Sequence, residues 1–451
     1  MIGSTRRGTE LILVLLAAVI TGGAYTLVAL GRTSTLPANV VPFLGLMLGL
    51  LLAPHLANRV LARGADAVLL PLAALLNGIG YVFIARINHN LASKQSGWTI
   101  IAVSAYVLTL LVVKNVNDLS KYKWTFALAG VGMLLLPFLP VIGRSINGSR
   151  IWIHVGPFSI QPGEFAKVTL ACFFAGYLME QRALLAQATW KVGPLYLPEP
   201  RHFGPVLVAW FMAIGIMTFQ KDLGSSLLFF ALFIVMVWIA TERTSYLVVG
   251  WMMFAVGAYV AWTQFAHVRT RVSIWLDPWA DSRGKGYQII QGLYAMAGGG
   301  TTGTGLGLGD PTRIPEVQND FIFAAIGEEL GLVGATAILI AFVLIIGSGL
   351  RIAFRAEKPF EKLLATGLTT ILGVQAFVII AGVTRVLPLT GVTLPFVSYG
   401  GSSLLANYIL LALLMRISDS TARRNSEIKV RSHKAKAPDV DLTQMIELVD
   451  P

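Results

Sequence analysis

The sequence predicts an all-α protein that crosses a membrane about twelve times. Of its 451 residues, 55% are hydrophobic and only 13% are charged, and the mean hydropathy is +0.70. A soluble chain carries about 25% charged residues and keeps a polar exterior. The apolar residues also fall in runs of about 20, the length of a helix that spans the hydrocarbon core of a bilayer.

Twelve apolar segments are expected to be these helices. In chain order they are Leu11–Leu30, Val40–Ala57, Val68–Ala85, Trp98–Val113, Trp124–Ile142, Glu164–Met179, Pro205–Phe219, Leu223–Ala240, Tyr246–Phe265, Phe321–Leu350, Leu363–Val383 and Phe396–Met415. The first segment follows Arg6 and Arg7, as a signal peptide would. It is too long for the apolar part of a signal peptide, and no convincing small-residue cleavage site follows it. We therefore expect a retained membrane anchor.

Basic residues indicate the orientation of the chain. Lys and Arg are concentrated near the N-terminus, in every second loop and in the C-terminal tail. Such loops stay in the cytoplasm, so we expect a multi-pass protein with both termini cytoplasmic. The net charge of +12 is then mainly a surface that attracts anionic lipid headgroups. No basic domain lies outside the membrane, so nucleic acid is not an expected partner.

Two outer loops and one tail divide the chain. Residues 1–147 hold the first five helices, and residues 148–415 hold a membrane core. The tail, 416–451, is basic and then acidic, and we expect it to be disordered and cytoplasmic. The outer loops are Gly143–Gly163 and Ala266–Asp320. Because the longer loop carries several aromatic residues and an amphipathic run, Tyr287–Ala297, we expect it to be ordered and functional.

A segment rich in proline and glycine precedes the last helix. Leu387–Ser403 reads LPLTGVTLPFVSYGGSS, a composition that opposes a straight helix. Irregular backbone at membrane depth persists only where protein or a water-filled cavity satisfies its polar groups. The sequence therefore predicts a polar cavity that opens to the outer face and is covered by the long loop.

Polar residues cluster on this outer side. The run QPGEFAK places Gln161, Glu164 and Lys167 at the start of the sixth segment, and Asp222 precedes the eighth. Ionisable groups at such depth are costly and usually functional. In the alternative interpretation, Glu164 and Lys167 share one helix face and form a structural ion pair, extended to Asp222, that only holds helices together.

Asp320 stands immediately before the apolar run that starts at Phe321, and Glu316 lies four residues earlier. One role for Asp320 is to cap the following helix, because a carboxylate there accepts backbone N–H bonds and suits the helix dipole. The other role is a functional carboxylate at the mouth of the cavity. The two roles are compatible.

Other loop residues are open to two interpretations each. Arg271, Arg283 and Lys285 form either a solvated basic surface or an anion site. Trp152 either stacks on sugar rings or anchors the chain at the membrane interface. The glycine-rich run Gly298–Gly309 lacks the preceding strand and the GK[ST] of nucleotide-binding loops, so we infer only flexible backbone near a ligand. The single cysteine and six scattered histidines indicate neither a disulfide framework nor a metal site.

Six motifs, taken in order, resemble one protein family. They are GSRIWIHVGPFSIQPGEFAK, QKDLGSSL, IWLDPWADSRGKGYQIIQ, GTGLGLG, IPEVQNDFIFAAIGEELG and LPLTGVTLPFVSYGGSS. Together they look like the SEDS family, which includes the rod-shape protein RodA, the division protein FtsW and the sporulation protein SpoVE. The resemblance implies a peptidoglycan glycosyltransferase that polymerises lipid II at the outer face of the bacterial cytoplasmic membrane. It also implies a class B penicillin-binding protein as the partner that cross-links the strands.

The resemblance carries functional residues over to this chain. It places the essential aspartate on Asp320, the glutamate–lysine pair on Glu164 and Lys167, the tryptophan on Trp152 and a further aspartate on Asp222. Gly163 and Lys221 depart from the usual serine and proline of the family motifs. The family typically has ten helices, so an additional N-terminal pair indicates an actinobacterial-type member. The long basic tail and the sequence VTRVLPLTG favour a RodA-like role in elongation over an FtsW-like role in division.

The implied reaction is an inverting glycosyl transfer with Asp320 as the general base, a role typically worth about 10²–10⁴-fold in rate. An aspartate with the ordinary pKa of about 3.9 is a weak base for a sugar hydroxyl. The larger contribution is therefore expected from stabilising the departing pyrophosphate. Arg271, Arg283, Lys285 and Lys167 are the candidates for this, with or without a divalent cation such as Mg²⁺ or Mn²⁺.

Two other classes of protein remain open at this point. A lipid II flippase or other transporter would also use a polar cavity, but it would hold its key charges near the middle of the membrane. A non-catalytic scaffold of the cell-wall machinery would tolerate Asp320→Asn without loss of function.

Overall fold

The computed structural model describes residues 2–33, 40–140, 142–146, 148–156, 158–186, 190–192, 195–197 and 200–436, most of them in α-helices. The helices are α1 (Ile2–Thr33), α2 (Val40–Leu61), α3 (Leu69–Ile87), α4 (His89–Val112), α5 (Lys123–Leu135), α6 (Pro162–Ala186), α7 (Pro200–Phe219), α8 (Leu223–Thr241), α9 (Ser245–Gln264), α10 (Ala266–Leu276), α11 (Tyr287–Gly299), α12 (Ile322–Arg355), α13 (Pro359–Val383) and α14 (Gly401–Lys436).

Each of the twelve predicted segments corresponds to one helix, and the remaining two, α10 and α11, lie in the long outer loop. Within the described part of the chain, nine helices are long and apolar enough to span a membrane: α1–α4, α8, α9 and α12–α14. Helix α5 is too short, because it ends at Leu135 and continues only as a 3₁₀ turn through Phe138. The prediction of an all-α polytopic membrane protein is confirmed.

Helices α13 and α14 form the centre of the bundle. In the most apolar parts of these two helices 78% and 89% of residues are buried, whereas only 11% are buried in that of α9. Helix α9 therefore lies at the periphery, with most of its apolar side chains facing outward. This arrangement makes α13 and α14 the scaffold on which the irregular segment between them is held.

Helix α12 is interrupted at Gly331, whose φ and ψ angles of 66° and −167° are not helical. The glycine-rich loop fills the gap, and four of its backbone groups hydrogen-bond to backbone groups of α12 on either side of the interruption. The hydrogen bonds run from Leu332 N to Gly300 O (3.0 Å), from Val333 N to Thr301 O (3.1 Å), from Thr304 N to Glu328 O (2.9 Å) and from Gly305 N to Glu329 O (3.1 Å). Each such group left unpaired in lipid would cost several kcal/mol, so the loop is a structural part of α12.

The segment before α14 is irregular, as predicted, but the last helix differs from expectation at both ends. It begins at Gly401 and not at Phe396, because Phe396 has a φ of 64°, outside the helical region. It also continues to Lys436 through much of the segment expected to be disordered. The buried Arg416 and Asp419 explain this continuation in part, since Arg416 donates to Leu61 O at the end of α2 and Asp419 accepts from Gly64 N in the loop after it. Residues 437–451 lie outside the described residues.

The first outer loop contains a small antiparallel sheet of three strands, β1 (Gly143–Ile146), β2 (Ser149–Val155) and β3 (Phe158–Ile160). Trp152 lies in β2, opposite Arg144 of β1. A hairpin of two strands, β4 (Trp190–Val192) and β5 (Leu195–Leu197), lies between α6 and α7.

A buried polar cluster near the start of α1 and the end of α2 holds these two helices to the rest of the bundle. Glu10 is fully buried and pairs with Arg7 and with Nδ1 of His55, the latter at 2.8 Å. Tyr106 of α4 donates to Asn58 Oδ1 at 2.7 Å, and Asn58 in turn donates to Glu10 at 3.3 Å. Buried charges are tolerated when they are paired and hydrogen-bonded in this way.

Candidate active site

Asp320 lies at the junction between the long outer loop and α12. The helix begins at Ile322, its N-cap residue is Phe321, and no side chain caps it. The capping role that the sequence allowed for Asp320 is therefore wrong. The residue is half-buried, and its carboxylate has no hydrogen-bond partner in the described part of the chain. An acidic group that is partly desolvated and free of structural bonds is suited to chemistry.

Arg271, in α10, approaches the same place from the long loop. Its Nη1 donates to Leu389 O at 2.9 Å, which ties α10 to the irregular segment before α14. A Cβ atom on Gly391 would lie 3.5 Å from Nη2 of Arg271 and 3.8 Å from Oδ2 of Asp320. Since Gly391 has no side chain, the space between the two charged groups stays open.

Burial raises the pKa of Asp320 to about 6, although the Arg271 guanidinium opposes this shift. The neighbouring Glu316 carboxylate raises the pKa further. The expectation of an ordinary aspartate, with a pKa of about 3.9, is therefore wrong because it neglected desolvation. A carboxylate with a pKa of about 6 is still ionised at neutral pH and is a stronger base than an exposed aspartate.

Glu164 and Lys167 form the ion pair that the sequence allowed. Glu164 Oε2 and Lys167 Nζ are 2.8 Å apart, and each residue is only 3% exposed. Lys167 also donates to Oε1 of Gln375 in α13 at 2.9 Å, and Gln375 donates to Thr393 O at 2.8 Å. This chain of contacts connects α6, α13 and the irregular segment. The Glu164–Lys167 pair is therefore structural, because through Gln375 it supports the backbone of the irregular segment.

Asp222 is the N-cap of α8, where its Oδ1 accepts a hydrogen bond from Ser225 N at 3.0 Å. Burial lowers the pKa of the Arg271 guanidinium, and the carboxylates of Asp320 and Asp222 oppose that shift. The next turn packs closely against the irregular segment, because a Cβ atom on Gly224 would lie 2.1 Å from Cγ2 of Val392. Asp222 thus belongs to the same cluster and has a structural bond of its own.

The irregular segment and the start of α14 also hold the residues on either side of the site. The contacts are Tyr399 N to Gln318 O (2.8 Å), Ser398 Oγ to Asn319 O (2.6 Å) and Gln161 N to Ser402 Oγ (2.9 Å). Gln161 is thus held through its backbone. Glu316 accepts hydrogen bonds from the side chains of Gln318 and Asn319 at 3.1 and 2.8 Å. The backbone that leads into Asp320 is therefore fixed on two sides.

Three of the candidate residues are not joined to this cluster. Lys285 and Arg283 are exposed, and the Lys285 amide donates to Asp281 Oδ2 at 3.0 Å. Trp152 is half-buried in the first outer loop. No hydrogen bond or ion pair in the described residues connects any of the three to Asp320.

Gln375 and Arg385 hold the elements that surround the site, although they were not among the predicted site residues. Gln375 is fully buried within α13, and a polar residue inside an apolar run is the signal that would have revealed it. Arg385 has a φ of 61° and donates to Trp275 O at 2.8 Å, and Trp275 Nε1 donates back to Arg385 O at 3.1 Å. No sequence pattern indicates this reciprocal contact, which attaches the long loop to the end of α13.

The described residues include no group of three or more His, Cys, Asp or Glu side chains that could hold a metal ion. Mg²⁺ at phosphate sites is often bound by one or two carboxylates together with phosphate oxygens of the substrate. Glu316 and Asp320 are carboxylates of the kind that such a site uses, and they lie four residues apart in the loop before α12.

Comparisons with known proteins agree with this architecture. Residues 65–423 match the family model FTSW_RODA_SPOVE, described as "Cell cycle protein". The peptidoglycan glycosyltransferase RodA of Mycobacterium tuberculosis is 46% identical, over 93% of this chain and 92% of that protein. Its counterpart in Mycobacterium leprae is 42% identical, over 99% and 97%. The stage V sporulation protein E of Bacillus subtilis is 36% identical, over 69% and 83%.

Solved structures share the fold. A chain from a study titled "Structural coordination of polymerization and crosslinking by a peptidoglycan synthase complex" aligns with a TM-score of 0.65 and 24% identity. The rod shape determining protein RodA of Thermus thermophilus aligns with a TM-score of 0.55 and 24% identity. The alignments cover 98% and 96% of those chains but only 79% and 78% of this one.

Proposed function

The chain belongs to the FtsW/RodA/SpoVE family of cell cycle proteins, and from that premise we propose that it is a peptidoglycan glycosyltransferase with a RodA-like role in elongation and cell shape. Relatives named RodA are 42–46% identical to it, whereas those named FtsW are 31–32% identical, which favours elongation over division. The observation that carries the assignment of the site is the half-buried, unbonded carboxylate of Asp320 beside Arg271.

In this proposal Asp320 is the general base. The 4-hydroxyl of an N-acetylglucosamine unit of lipid II attacks the anomeric carbon of the growing strand, and the bond from that carbon to the pyrophosphate oxygen breaks. The hydroxyl proton passes to the Asp320 carboxylate, and a single displacement inverts the anomeric centre. A base with a pKa of about 6 is ionised at neutral pH and contributes about 10²–10⁴-fold.

Arg271 is the residue that we assign to the departing undecaprenyl pyrophosphate. Its guanidinium lies beside Asp320 and is oriented by the hydrogen bond to Leu389 O. A planar guanidinium binds phosphate oxygens through two parallel N–H bonds. Lys167 is a weaker candidate because it is already bonded to Glu164 and Gln375.

A divalent cation, Mg²⁺ or Mn²⁺, would be held by the pyrophosphate oxygens together with the Glu316 carboxylate. It would supply additional positive charge for the leaving group. Polymerisation with and without a chelator tests this: a loss that added Mg²⁺ or Mn²⁺ restores supports a cation, and full activity in the chelator contradicts it.

The partner in this proposal is a class B penicillin-binding protein, and both termini are cytoplasmic. A structural relative comes from a peptidoglycan synthase complex that couples polymerisation with cross-linking, which supports a transpeptidase partner. The distribution of basic loops supports the orientation. The substrates would then be lipid II and the nascent glycan strand at the outer face of the membrane.

Polymerisation of purified lipid II, by the protein alone and with a cognate transpeptidase, tests the function. Wild type should form glycan strands, and Asp320→Asn should lose activity by about 10²–10⁴-fold while remaining folded. Equal polymerisation by the variant would overturn the role of Asp320. If wild type forms no strands even with its partner, a lipid-flipping assay would test the alternative transport function.

A further inference from the structure

Helix α1 precedes the region that the family model matches, residues 65–423, and contacts the glycine-rich loop backbone to backbone. A Cβ atom on Gly31 would lie 2.5 Å from Leu306 O, and one on Gly307 would lie 2.6 Å from Val28 O. Gly307 also has a φ of +80°, which side chains other than hydrogen rarely allow. The outer end of α1 and the loop therefore approach as closely as they do because both positions are glycine.

Gly307, which contacts α1, is also hydrogen-bonded to the buried carboxylate of Glu329 in α12. Its amide donates to Glu329 Oε2 at 2.8 Å, and Arg86 Nε donates to the other oxygen, Glu329 Oε1, at 3.1 Å. Arg86 Nη2 also donates to Gly309 O at 2.7 Å. Glu329 is only 1% exposed. Since a buried carboxylate needs its partners, any displacement of Gly307 is opposed by Glu329 and Arg86 together.

The same loop determines where the first part of α12 lies. Residues 322–330 form a short helix between Asp320 and the interruption at Gly331. Its last carbonyls, on Glu328 and Glu329, accept hydrogen bonds from the loop amides of Thr304 and Gly305. The loop therefore holds the far end of the short helix whose near end follows Asp320.

We propose that α1 is a positioning element for Asp320, which acts through the contact of Gly31 with the glycine-rich loop. The inference rests on the proposed function, because it assigns α1 a role in placing the base of that reaction. Gly31 is a positioning residue, since it touches neither the substrate nor Asp320. A displacement of about 1 Å at a reacting group can cost up to about 100-fold in rate. A larger side chain at position 31 should therefore lower kcat while leaving KM nearly unchanged.

A graded pair of variants with a matched pair on the same helix tests this inference. Gly31→Ala and Gly31→Leu place atoms against the Leu306 carbonyl, whereas a Cβ atom on Gly23 meets nothing within 4 Å. Gly23→Ala and Gly23→Leu are therefore the controls. In the full-length protein with its transpeptidase, kcat for lipid II polymerisation should fall about 10-fold or more for Gly31→Leu and less for Gly31→Ala. Both controls should retain wild-type kcat and KM.

Hydrogen exchange provides a readout that does not depend on activity. Amides at residues 304, 305, 307, 332 and 333 should exchange faster in the Gly31 variants than in the Gly23 variants, with the cytoplasmic ends of the helices unchanged. Equal exchange, or equal kcat in Gly31→Leu and Gly23→Leu, would overturn the inference. If Gly31→Leu does not fold, Gly31→Ala decides it. If wild type does not polymerise lipid II, the proposed function fails, and exchange alone still decides whether α1 supports the loop.

Discussion

Arg271 and Asp320 both lie next to Gly391, whose Cβ position would be 3.5 Å from Arg271 Nη2 and 3.8 Å from Asp320 Oδ2. The guanidinium favours the ionised form of the carboxylate, and burial disfavours it. Burial prevails, so the pKa of Asp320 rises to about 6. In the proposed reaction the pair would supply a base of useful strength and a cation for the departing phosphate, and each property is open to measurement.

Polymerisation should decline below about pH 6. The base must be ionised, and burial raises the pKa of Asp320 to about 6. Below that value, kcat/KM should fall about tenfold for each pH unit. Initial rates of strand formation between pH 4.5 and 8, on protein shown to stay folded across the range, measure this decline. A decline centred near pH 4 would contradict the desolvated carboxylate.

The neighbours of Asp320 should move this decline in opposite directions. Glu316 raises the pKa of Asp320, so Glu316→Gln should shift the decline to lower pH. Arg271 lowers it, so Arg271→Met should shift the decline to higher pH, while Arg271→Lys retains the charge as the control. Shifts of up to about one pH unit are expected. If both substitutions shift the decline in the same direction, the electrostatic description of the site is wrong.

Replacement of Asp320 should stabilise the folded protein at alkaline pH. The pKa of this carboxyl is about 6 in the folded protein and 3.8 as an ordinary group. The folded state therefore binds the proton more tightly, and stability from this residue is lost as pH rises from about 4 to about 6. Asp320→Asn removes the ionised group, so its Tm at pH 8 should exceed that of wild type, with the difference disappearing near pH 4. A lower Tm at pH 8 would indicate a structural role for the carboxylate.

The orientation can be tested with single introduced cysteines. The only native cysteine, Cys172, is buried, so background labelling should be low. Lys285 lies in the long loop and Lys358 in the loop between α12 and α13, and both residues are exposed. A membrane-impermeant maleimide added to intact cells should label Lys285→Cys and not Lys358→Cys. The reverse pattern would place the site on the cytoplasmic face.

The length and polarity of the apolar runs were sufficient to predict the helices. All twelve segments correspond to helices, because a run of apolar residues in lipid has to satisfy its backbone bonds internally. The amphipathic run in the long loop likewise corresponds to α11. The boundaries differed, as at Phe396, where a positive φ delays the start of α14 to Gly401. Helix α10 and the interruption of α12 at Gly331 were not predicted.

The surroundings of the charged residues were less predictable. Sequence spacing places Glu164 and Lys167 on one helix face, and the ion pair follows. It does not show that Gln375, 208 residues away, completes the pair. Sequence spacing also does not show that Asp222 caps α8 whereas Asp320 does not cap α12, because both residues precede a helix.

By itself, the sequence determined that this is a multi-pass helical membrane protein with an acidic residue just before α12. Those features depend on neighbouring residues along the chain. The tertiary structure decided how strong a base that residue is and which charged group lies beside it. The raised pKa of Asp320 depends on the packing around it, and the position of Arg271 depends on a hydrogen bond to a residue 118 positions away. Desolvation and long-range contacts exist only once the helices have packed.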